Sequence, residues 1–221
     1  MVAIAPTSLD EVAERLLRYR NGWQGCWSFM TECMFTIDQT DTYNPIKPYP
    51  ARKEMEEYLR VVVKEIVTEP LLAAVKHRRI LGTWTCCGVV TWDFLFFEGR
   101  FNAIVCKKEK DSDDLVRRCK FILDHIPPEK MPILPTYDYT FTRIVCKETD
   151  SVIKGFPQGE EQLRQFTCSR VFVDEFAKLP QARATFVALK PTLEGGGKVC
   201  LISTRWPGFF QDLVEDKIDE T

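Results

Sequence analysis

The chain has 221 residues, of which 45% are hydrophobic and 28% are charged, so it can hold one α/β domain with a small appendage. Its net charge of -2 excludes a globally basic nucleic-acid-binding protein, so contacts with nucleic acid would come from local patches or from several copies around a common axis. Nine cysteines without a Cys-x-x-Cys pair argue against a zinc site and for reduced core thiols in a cytosolic compartment, and no apolar run has the length of a signal peptide or a membrane span.

Residues 1–50 are predicted to form an N-terminal lid segment that precedes the core. Ser8 and Glu11 have the spacing of a capping box, in which a hydroxyl and a carboxylate bind the free amide groups of a helix start. A short helix is therefore expected to run to about Arg20. The aromatic and Cys-rich residues 21–35 show no clear period, and we expect them to cover the core and not to bind a cofactor.

The core is predicted to span residues 51–221. A helix is expected to follow Pro50 and to end at Pro70, because apolar residues recur between them at helical spacing. These residues are Met55, Tyr58, Leu59, Val62 and Ile66. The helix leads directly into a predicted first core strand, residues 71–75.

A basic loop, residues 76–84, follows this strand and has the sequence Lys-His-Arg-Arg-Ile-Leu-Gly-Thr-Trp. The mostly apolar residues 85–97 after it are predicted to form a buried helix. A strand, a tight basic loop and a helix are the plan of a phosphate cradle, because the amides and the dipole of a helix start favour an anion. Thr83 stands where a hydroxyl can bind Mg²⁺. A solvated basic turn is the alternative interpretation of the same loop.

The loop does not match the ordinary phosphate-binding string, G-x-x-x-x-G-K-[ST]. Counting back from Thr83, Gly82 stands at the lysine position of this motif, Leu81 at its second glycine position and Lys76 at its first glycine position. The chemistry still requires a cation near the β- and γ-phosphates. Three residues of the loop could supply it, namely Lys76, Arg78 and Arg79.

The strand-and-helix pattern then repeats. Residues 101–106 are predicted to form a second strand, and a helix is expected to start at Ser112 and to end near His125. Two short β-like runs, residues 140–146 and 151–156, are predicted to form a hairpin.

An apolar run, Val171 to Val173, is predicted to end a strand that is buried on both faces of a parallel sheet. Asp174 and Glu175 follow at its carboxyl end, which is where open α/β sheets bind ligands. The pattern therefore indicates a site for a metal and a nucleotide. An ordinary strand followed by a solvated acidic turn is the alternative.

The last predicted strand, residues 198–204, ends in Ser203 and Thr204, and a helix from about Gln181 to Leu189 precedes it. Hydroxyls beside an acidic strand can sense the γ-phosphate, although the same pair could cap the next helix. The basic loop, the acidic pair and the hydroxyl pair each lie at the carboxyl end of a strand. Their order predicts one nucleotide site at one edge of the sheet.

This order of strings resembles the ATPase part of the large terminase subunit of tailed bacteriophages, over roughly residues 45–214. The resemblance is carried by Lys76 to Trp84, Ile153 to Gly159 with Arg164, Val171 to Ala177, and Leu189 to Gly197 with Leu201 to Thr204. It implies an α/β fold, a three-layer P-loop NTPase of the additional-strand type (ASCE). The sheet would be mostly parallel, with an antiparallel edge hairpin.

The resemblance also implies roles for single residues. The loop that would bind ATP comprises Lys76, Arg78, Arg79, Ile80, Leu81, Gly82, Thr83 and Trp84, and one of its three cations would contact the phosphates. Thr83 and Asp174 would hold Mg²⁺, and Glu175 would be the general base for the attacking water. Ser203 and Thr204 would form a coupling motif.

Three further residues take roles from the resemblance alone. Arg164 is similar in placement to an arginine that reaches into a neighbouring subunit's site as a finger, and Tyr49, with Pro50, would lie on the adenine side.

The implied function is ATP hydrolysis that drives double-stranded DNA into a viral procapsid in the host cytoplasm. The implied partners are a portal protein, a small terminase subunit and further copies in a ring, a pentamer by the resemblance. Family members carry a carboxyl-terminal nuclease domain, but this chain ends soon after Thr204, so we expect an isolated motor domain that does not cleave DNA. Another DNA-translocating or helicase-type ATPase, or a catalytically weak nucleotide-binding module, would share the same core.

Overall fold

The computed structural model describes residues 8–77, 81–159, 163 and 165–215. The helices are α1 (Leu9–Tyr19), α2 (Gly22–Cys33), α3 (Glu56–Thr68), α4 (Gly82–Phe96), α5 (Glu109–Asp124), α6 (Ala182–Glu194) and α7 (Phe209–Val214), with 3₁₀ turns at Lys53–Met55 and Phe176–Lys178. The strands are β1 (Phe35–Ile37), β2 (Ile46–Pro48), β3 (Leu71–Val75), β4 (Phe101–Cys106), β5 (Tyr137–Thr140), β6 (Arg143–Cys146), β7 (Val152–Pro157), β8 (Arg170–Asp174) and β9 (Lys198–Ser203).

The main sheet has seven strands in the order β3-β9-β8-β4-β7-β6-β5. The first five are parallel, and β6 and β5 continue the sheet in antiparallel pairing. β9 lies between β3 and β8, and this insertion is the additional-strand arrangement that the sequence predicted. The fold class is therefore confirmed, including the antiparallel edge, in which β6 and β7 form the predicted hairpin and β5 adds a further strand.

Strand β8, the middle one of the five parallel strands, is buried on both faces, as its apolar run predicts. Val171, Phe172 and Val173 are at most 1% exposed. Because side chains alternate along a strand, Phe172 joins the core under α2 to α5, whereas Val171 and Val173 join the core under α6 and α7. Helices thus cover the sheet on both faces, and each fully buried side chain of this size contributes about 1.5–3 kcal/mol of transfer free energy.

Helix α4 begins next to the loop that follows β3, and it is buried from Trp84 to Phe96. A helix that is apolar all round has no solvated face, so it must lie inside the protein. α2, α3 and α5 surround it and share one core cluster with it. The predicted boundary at residue 50 stays a prediction, although α2 and α4 contact each other directly.

Several local predictions are confirmed or corrected by the structure. Ser8 and Glu11 form the predicted capping box, with Ser8 Oγ accepting from the Glu11 amide at 3.2 Å. Helix α5 starts at Glu109 and not at Ser112, whose hydroxyl lies inside the helix and donates to the Glu109 carbonyl at 2.7 Å. Helix α6 continues past Leu189 to Glu194 and includes Pro191, which lies on its exposed side.

All nine cysteines are free and buried, which agrees with the predicted core thiols. Of the helices that the structure describes, none has the length and apolar character needed to cross a bilayer.

Candidate functional site

Three side chains from distant parts of the chain meet at the carboxyl edge of the sheet. Lys76 follows β3, Thr83 lies in the first turn of α4, and Asp174 ends β8. Lys76 Nζ lies 2.5 Å from Asp174 Oδ1 and donates to Thr83 Oγ1 at 3.1 Å. Thr83 Oγ1 in turn donates to Asp174 Oδ2 at 3.3 Å. The predicted convergence of the basic loop, the hydroxyl and the acidic strand is therefore present.

The strand order explains why these groups meet. The carboxyl ends of parallel strands share one edge of a sheet, and β3 and β8 are separated only by β9. The Lys76 amide donates to the Ser203 carbonyl at 2.8 Å, which extends the pairing of β3 and β9 by one residue and fixes the start of the Lys76 side chain. The long side chain then spans β9 to reach Asp174.

The geometry of the loop accounts for its departure from the ordinary phosphate-binding string. A Cβ atom on Gly82 would lie 3.7 Å from Lys76 Cδ, an ordinary contact, so the Lys76 side chain passes directly beside the place where the lysine usually stands. Leu81 holds the second glycine place with a left-handed backbone, φ 54°. This conformation favours glycine, and a leucine adopts it at a cost of about 1–2 kcal/mol.

The loop cations are not all within the described part of the chain. Lys76 is the cation that the structure places at the site, whereas Arg78, Arg79 and Ile80 lie outside the described residues. Their predicted contacts with phosphate stay predictions.

Glu175 carries the second carboxylate of the site and has a left-handed backbone, φ 50°. Its Oε1 lies 3.2 Å from Lys76 Nζ, and its Oε2 lies 2.8 Å from Lys178 Nζ. Thr204 Oγ1 donates to the same Oε2 at 3.3 Å. Strained backbone of this kind is often found at functional sites, where the surrounding structure holds it.

The ammonium groups control the charge of the site. Burial alone would raise the pKa of Glu175, but the hydrogen bond from Lys178 and the charge of Lys76 outweigh burial and hold this pKa below its ordinary value. Burial alone would lower the pKa of Lys76, but Asp174 and Glu175 outweigh it and raise this pKa. Near neutral pH Glu175 is therefore a carboxylate and Lys76 an ammonium.

The residues at the site also fit a divalent cation. The Lys76 ammonium lies between the Thr83 hydroxyl and the Asp174 carboxylate, which shows that these two oxygen ligands face a common cationic position. Hydroxyl and carboxylate oxygens are the ligands that Mg²⁺ prefers.

The two hydroxyls at the end of β9 diverge. Thr204 faces Glu175, whereas Ser203 is fully buried and its Oγ has no hydrogen-bond partner in the part of the chain that the structure describes. The next helix, α7, begins at Phe209 after Gly208, so the interpretation of this pair as a helix cap is wrong.

Two aromatic residues of the predicted ATP site lie in the core. Tyr49 is 2% exposed, and its hydroxyl shares a 2.9 Å hydrogen bond with Thr85 Oγ1 of α4. Trp84 packs edge-on against Phe121. A contact between Tyr49 and adenine stays a prediction, and the structure shows Tyr49 supporting the start of α4 from inside. Arg164 lies outside the described residues, so its role as a finger also stays a prediction.

Sequence reasoning missed two features of this edge. Lys178, three residues after Glu175, pairs with it across a single 3₁₀ turn, and the spacing of opposite charges was the available signal. A cleft of about 780 Å³ also opens beside Leu81 and Trp84, and its other walls come from α5, from the end of β1 with the turn after it, and from the segment before α3. No local sequence pattern indicates this cleft, because its walls come from separate parts of the chain.

Comparison with family models and with curated protein sequences gives no match. Among solved structures, the ATPase domain of the Thermus phage P74-26 large terminase is similar with a TM-score of 0.50 and 14% identity, over 66% of this chain and 64% of that chain. An arginine-to-alanine mutant of that domain has a TM-score of 0.52 and 12% identity, over 69% of this chain and 66% of that chain. The bacteriophage HK97 large terminase has a TM-score of 0.62 and 11% identity, over 87% of this chain.

The chain spans 64% of the P74-26 domain and 41% of the HK97 protein. At these low sequence identities the similarity shows a shared backbone fold. This fold agrees with the strand order of the sheet and with the family resemblance of the sequence. The chain therefore has the fold of the ATPase domain of bacteriophage large terminases.

Proposed function

We propose that the chain binds ATP with Mg²⁺ and hydrolyses it, as the motor domain of a large terminase that moves double-stranded DNA into a viral procapsid. The observation that supports this proposal most is the meeting of Lys76, Thr83 and Asp174 within 3.3 Å of one another at the sheet edge. A cation, a hydroxyl and a carboxylate in this arrangement are what phosphoryl transfer requires of the protein.

Each group has a role that its position supports. Lys76 would contact the β- and γ-phosphates, and the free amides at the start of α4 would bind phosphate oxygens. Thr83 and Asp174 would hold Mg²⁺, which when bound neutralises charge on the phosphates. Asp174 is positioned for this because its Oδ1 also accepts from the Glu175 amide at 2.9 Å, which fixes the carboxylate.

Glu175 is the general base of the proposed reaction. It would accept a proton from a water molecule whose oxygen forms a bond to the γ-phosphorus, while the bond from that phosphorus to the bridging oxygen breaks and ADP leaves with the electron pair. For this step Glu175 must give up part of its pairing with Lys76 and Lys178. Binding of the triphosphate would withdraw Lys76 from both carboxylates, because the phosphates carry the greater negative charge.

The assembly of the proposed motor rests on the family resemblance. We propose that several copies form a ring, a pentamer by the resemblance, in the host cytoplasm, with the portal protein and the small terminase subunit as partners. Arg164 would act as a finger on the neighbouring copy. If this holds, turnover per subunit rises with protein concentration, whereas turnover independent of concentration would contradict a finger supplied by another copy.

The proposal is tested by titrating the purified chain with a fluorescent ATP analogue with and without Mg²⁺, followed by measurement of phosphate release. We expect binding and phosphate release that depend on Mg²⁺. Binding without any release at high protein concentration would contradict the hydrolytic role and would favour a nucleotide-binding module.

A further inference from the structure

A second, smaller cleft lies beside Glu175 at the same edge of the sheet. It has a volume of about 450 Å³ and is lined by Lys107, Ala177, Lys178, Leu179, Pro180 and Trp206. These residues follow β4, β8 and β9, so the cleft is built from the carboxyl ends of three adjacent strands. Its position next to the catalytic base suggests that a ligand there could influence hydrolysis.

The surface of this cleft suits an extended anion. Lys107 and Trp206 of its lining are exposed, Trp206 by 55%, and so is Arg205, which precedes Trp206 in the chain but does not line the cleft. None of the three side chains has a polar partner within the described residues. A chain with a net charge of -2 thus places unpaired positive charge and an exposed indole together on one edge. An exposed indole N–H can donate to a phosphate oxygen, and lysine and arginine bind phosphates along a backbone.

Lys178 connects the cleft with the site of hydrolysis. Its side chain lines the cleft, while its Nζ lies 2.8 Å from Glu175 Oε2. The Lys178 amide donates to the Glu175 carbonyl at 2.9 Å, which fixes the backbone of the turn and leaves only the side chain to move. The side chain is 38% exposed, so an anion in the cleft can compete with Glu175 for its ammonium group.

We propose that the cleft binds the sugar-phosphate backbone of double-stranded DNA, and that a backbone phosphate draws Lys178 away from Glu175 and so activates hydrolysis. This inference rests on the proposed function, because it assigns a partner and a regulatory contact to the same site. Without DNA, Lys178 holds Glu175. With DNA, Glu175 keeps its contact with Thr204 and is free to orient water, so ATP is consumed when the substrate to be moved is present.

The first experiment measures DNA binding by the anisotropy of a labelled duplex at several salt concentrations. Lys107→Gln and Trp206→Ala should weaken binding, and Lys107→Gln should reduce the salt dependence by about one phosphate contact. Lys147→Gln is the matched control, since it removes an exposed lysine that pairs with Asp138 on the distant β5–β6 edge. Binding by Lys107→Gln and Trp206→Ala that equals binding by the control would overturn the proposed surface.

The second experiment measures ATP hydrolysis with and without duplex DNA. Lys178→Met should raise the DNA-free kcat by about fivefold, the factor expected for loss of one partly exposed ion pair, without a change in the KM for ATP. DNA should then give no further stimulation, and Lys178→Arg should restore the wild-type behaviour. A fall in the DNA-free kcat of Lys178→Met, or stimulation that persists in it, would overturn the role of Lys178.

The outcomes separate this inference from the proposed function. No phosphate release by the wild-type chain contradicts the proposed function. Hydrolysis by the wild type, with the cleft variants and Lys178→Met all behaving like Lys147→Gln, contradicts the inference alone. Stimulation by inorganic phosphate equal to that by duplex DNA would show a site for a single phosphate and would overturn the assignment to a DNA backbone.

Discussion

Lys76 Nζ and Asp174 Oδ1 lie 2.5 Å apart although 98 positions separate the two residues along the chain. Both side chains are largely buried, with exposures of 13% and 15%. The contact joins the end of β3 to the end of β8 across β9, so one ion pair links two strands that are not neighbours at the edge where the nucleotide is proposed to bind.

Removal of the Lys76 ammonium should affect both stability and binding. Lys76→Met leaves the Asp174 and Glu175 carboxylates close together without their shared cation, and we expect a loss of about 1–3 kcal/mol in the free energy of unfolding. ATP binding should be lost as well. Urea unfolding and nucleotide titration measure the two effects, and Lys147→Met serves as the control at an exposed ion pair. An unchanged affinity for ATP would show that another residue supplies the cation.

Replacement of Glu175 by Gln should separate binding from hydrolysis. The amide keeps the size of the side chain but cannot accept a proton from water, so phosphate release should fall by about 10²–10⁴-fold while ATP binding is retained. Glu57→Gln changes an exposed acid on α3 and should leave phosphate release as in the wild type. Full activity in the Glu175 variant would reject its role as the base.

The lowered pKa of Glu175 gives a defined pH dependence of stability. A carboxylate whose pKa is lower in the folded state stabilises the fold above its ordinary value of 4.5, and this contribution is lost as the pH falls through the lowered pKa. The wild type should therefore lose more stability than Glu175→Gln on acidification below pH 4.5. Parallel curves of unfolding free energy against pH for the two proteins would contradict the pairing of Glu175 with the two lysines.

The Thr83 hydroxyl should be required for the response to Mg²⁺. Thr83→Val keeps the shape of the side chain but removes the oxygen that faces Asp174, so the Mg²⁺ concentration for half-maximal phosphate release should rise. Thr83→Ser keeps the oxygen and should behave like the wild type. The same Mg²⁺ dependence in Thr83→Val would show that this residue is not a ligand.

Two glycines should differ sharply in their tolerance of alanine. A Cβ on Gly25 of α2 would lie 2.5 Å from the carbonyl oxygens of Arg18 and Tyr19, and this backbone cannot move away without shifting α1. Gly25→Ala should therefore lower the free energy of unfolding by about 1–3 kcal/mol. The Cβ atom of Gly82→Ala would lie 3.7 Å from its nearest neighbour, Lys76 Cδ, and this variant should fold normally. Thermal unfolding distinguishes the two, and equal losses would contradict the packing at the start of α2.

The sequence predicted the parts of the fold that depend on residues close together in the chain. The apolar run before Asp174 predicted a strand that is buried on both faces, and the spacing of Ser8 and Glu11 predicted the first helix. Helix α2 was missed because Trp23 and Trp27 obscured the period of its buried face, although Cys26, Phe29, Met30 and Cys33 do recur at helical spacing. Strands β1, β2 and β5 have three or four residues each, too few for a period to be visible.

The site was predictable where its residues lie close together in the sequence. Asp174 and Glu175 lie next to each other in the sequence, and Lys76 and Thr83 are seven positions apart. Which cation of the basic loop reaches Asp174 depends on the path of a side chain beside Gly82, and no sequence spacing determines it. The cleft with Trp206 depends on the order of strands in the sheet, which local patterns do not reveal.

Strand β9 and the residue after it contact two residues of the proposed reaction, Lys76 and Glu175. The carbonyl of Ser203, the last residue of β9, accepts from the Lys76 amide, and the hydroxyl of Thr204 just beyond it donates to the Glu175 carboxylate. If β9 moved along its own axis, it would therefore displace Lys76 and Glu175 together. Strand β9 is thus the element whose movement would affect the proposed phosphate contact and the proposed base at the same time.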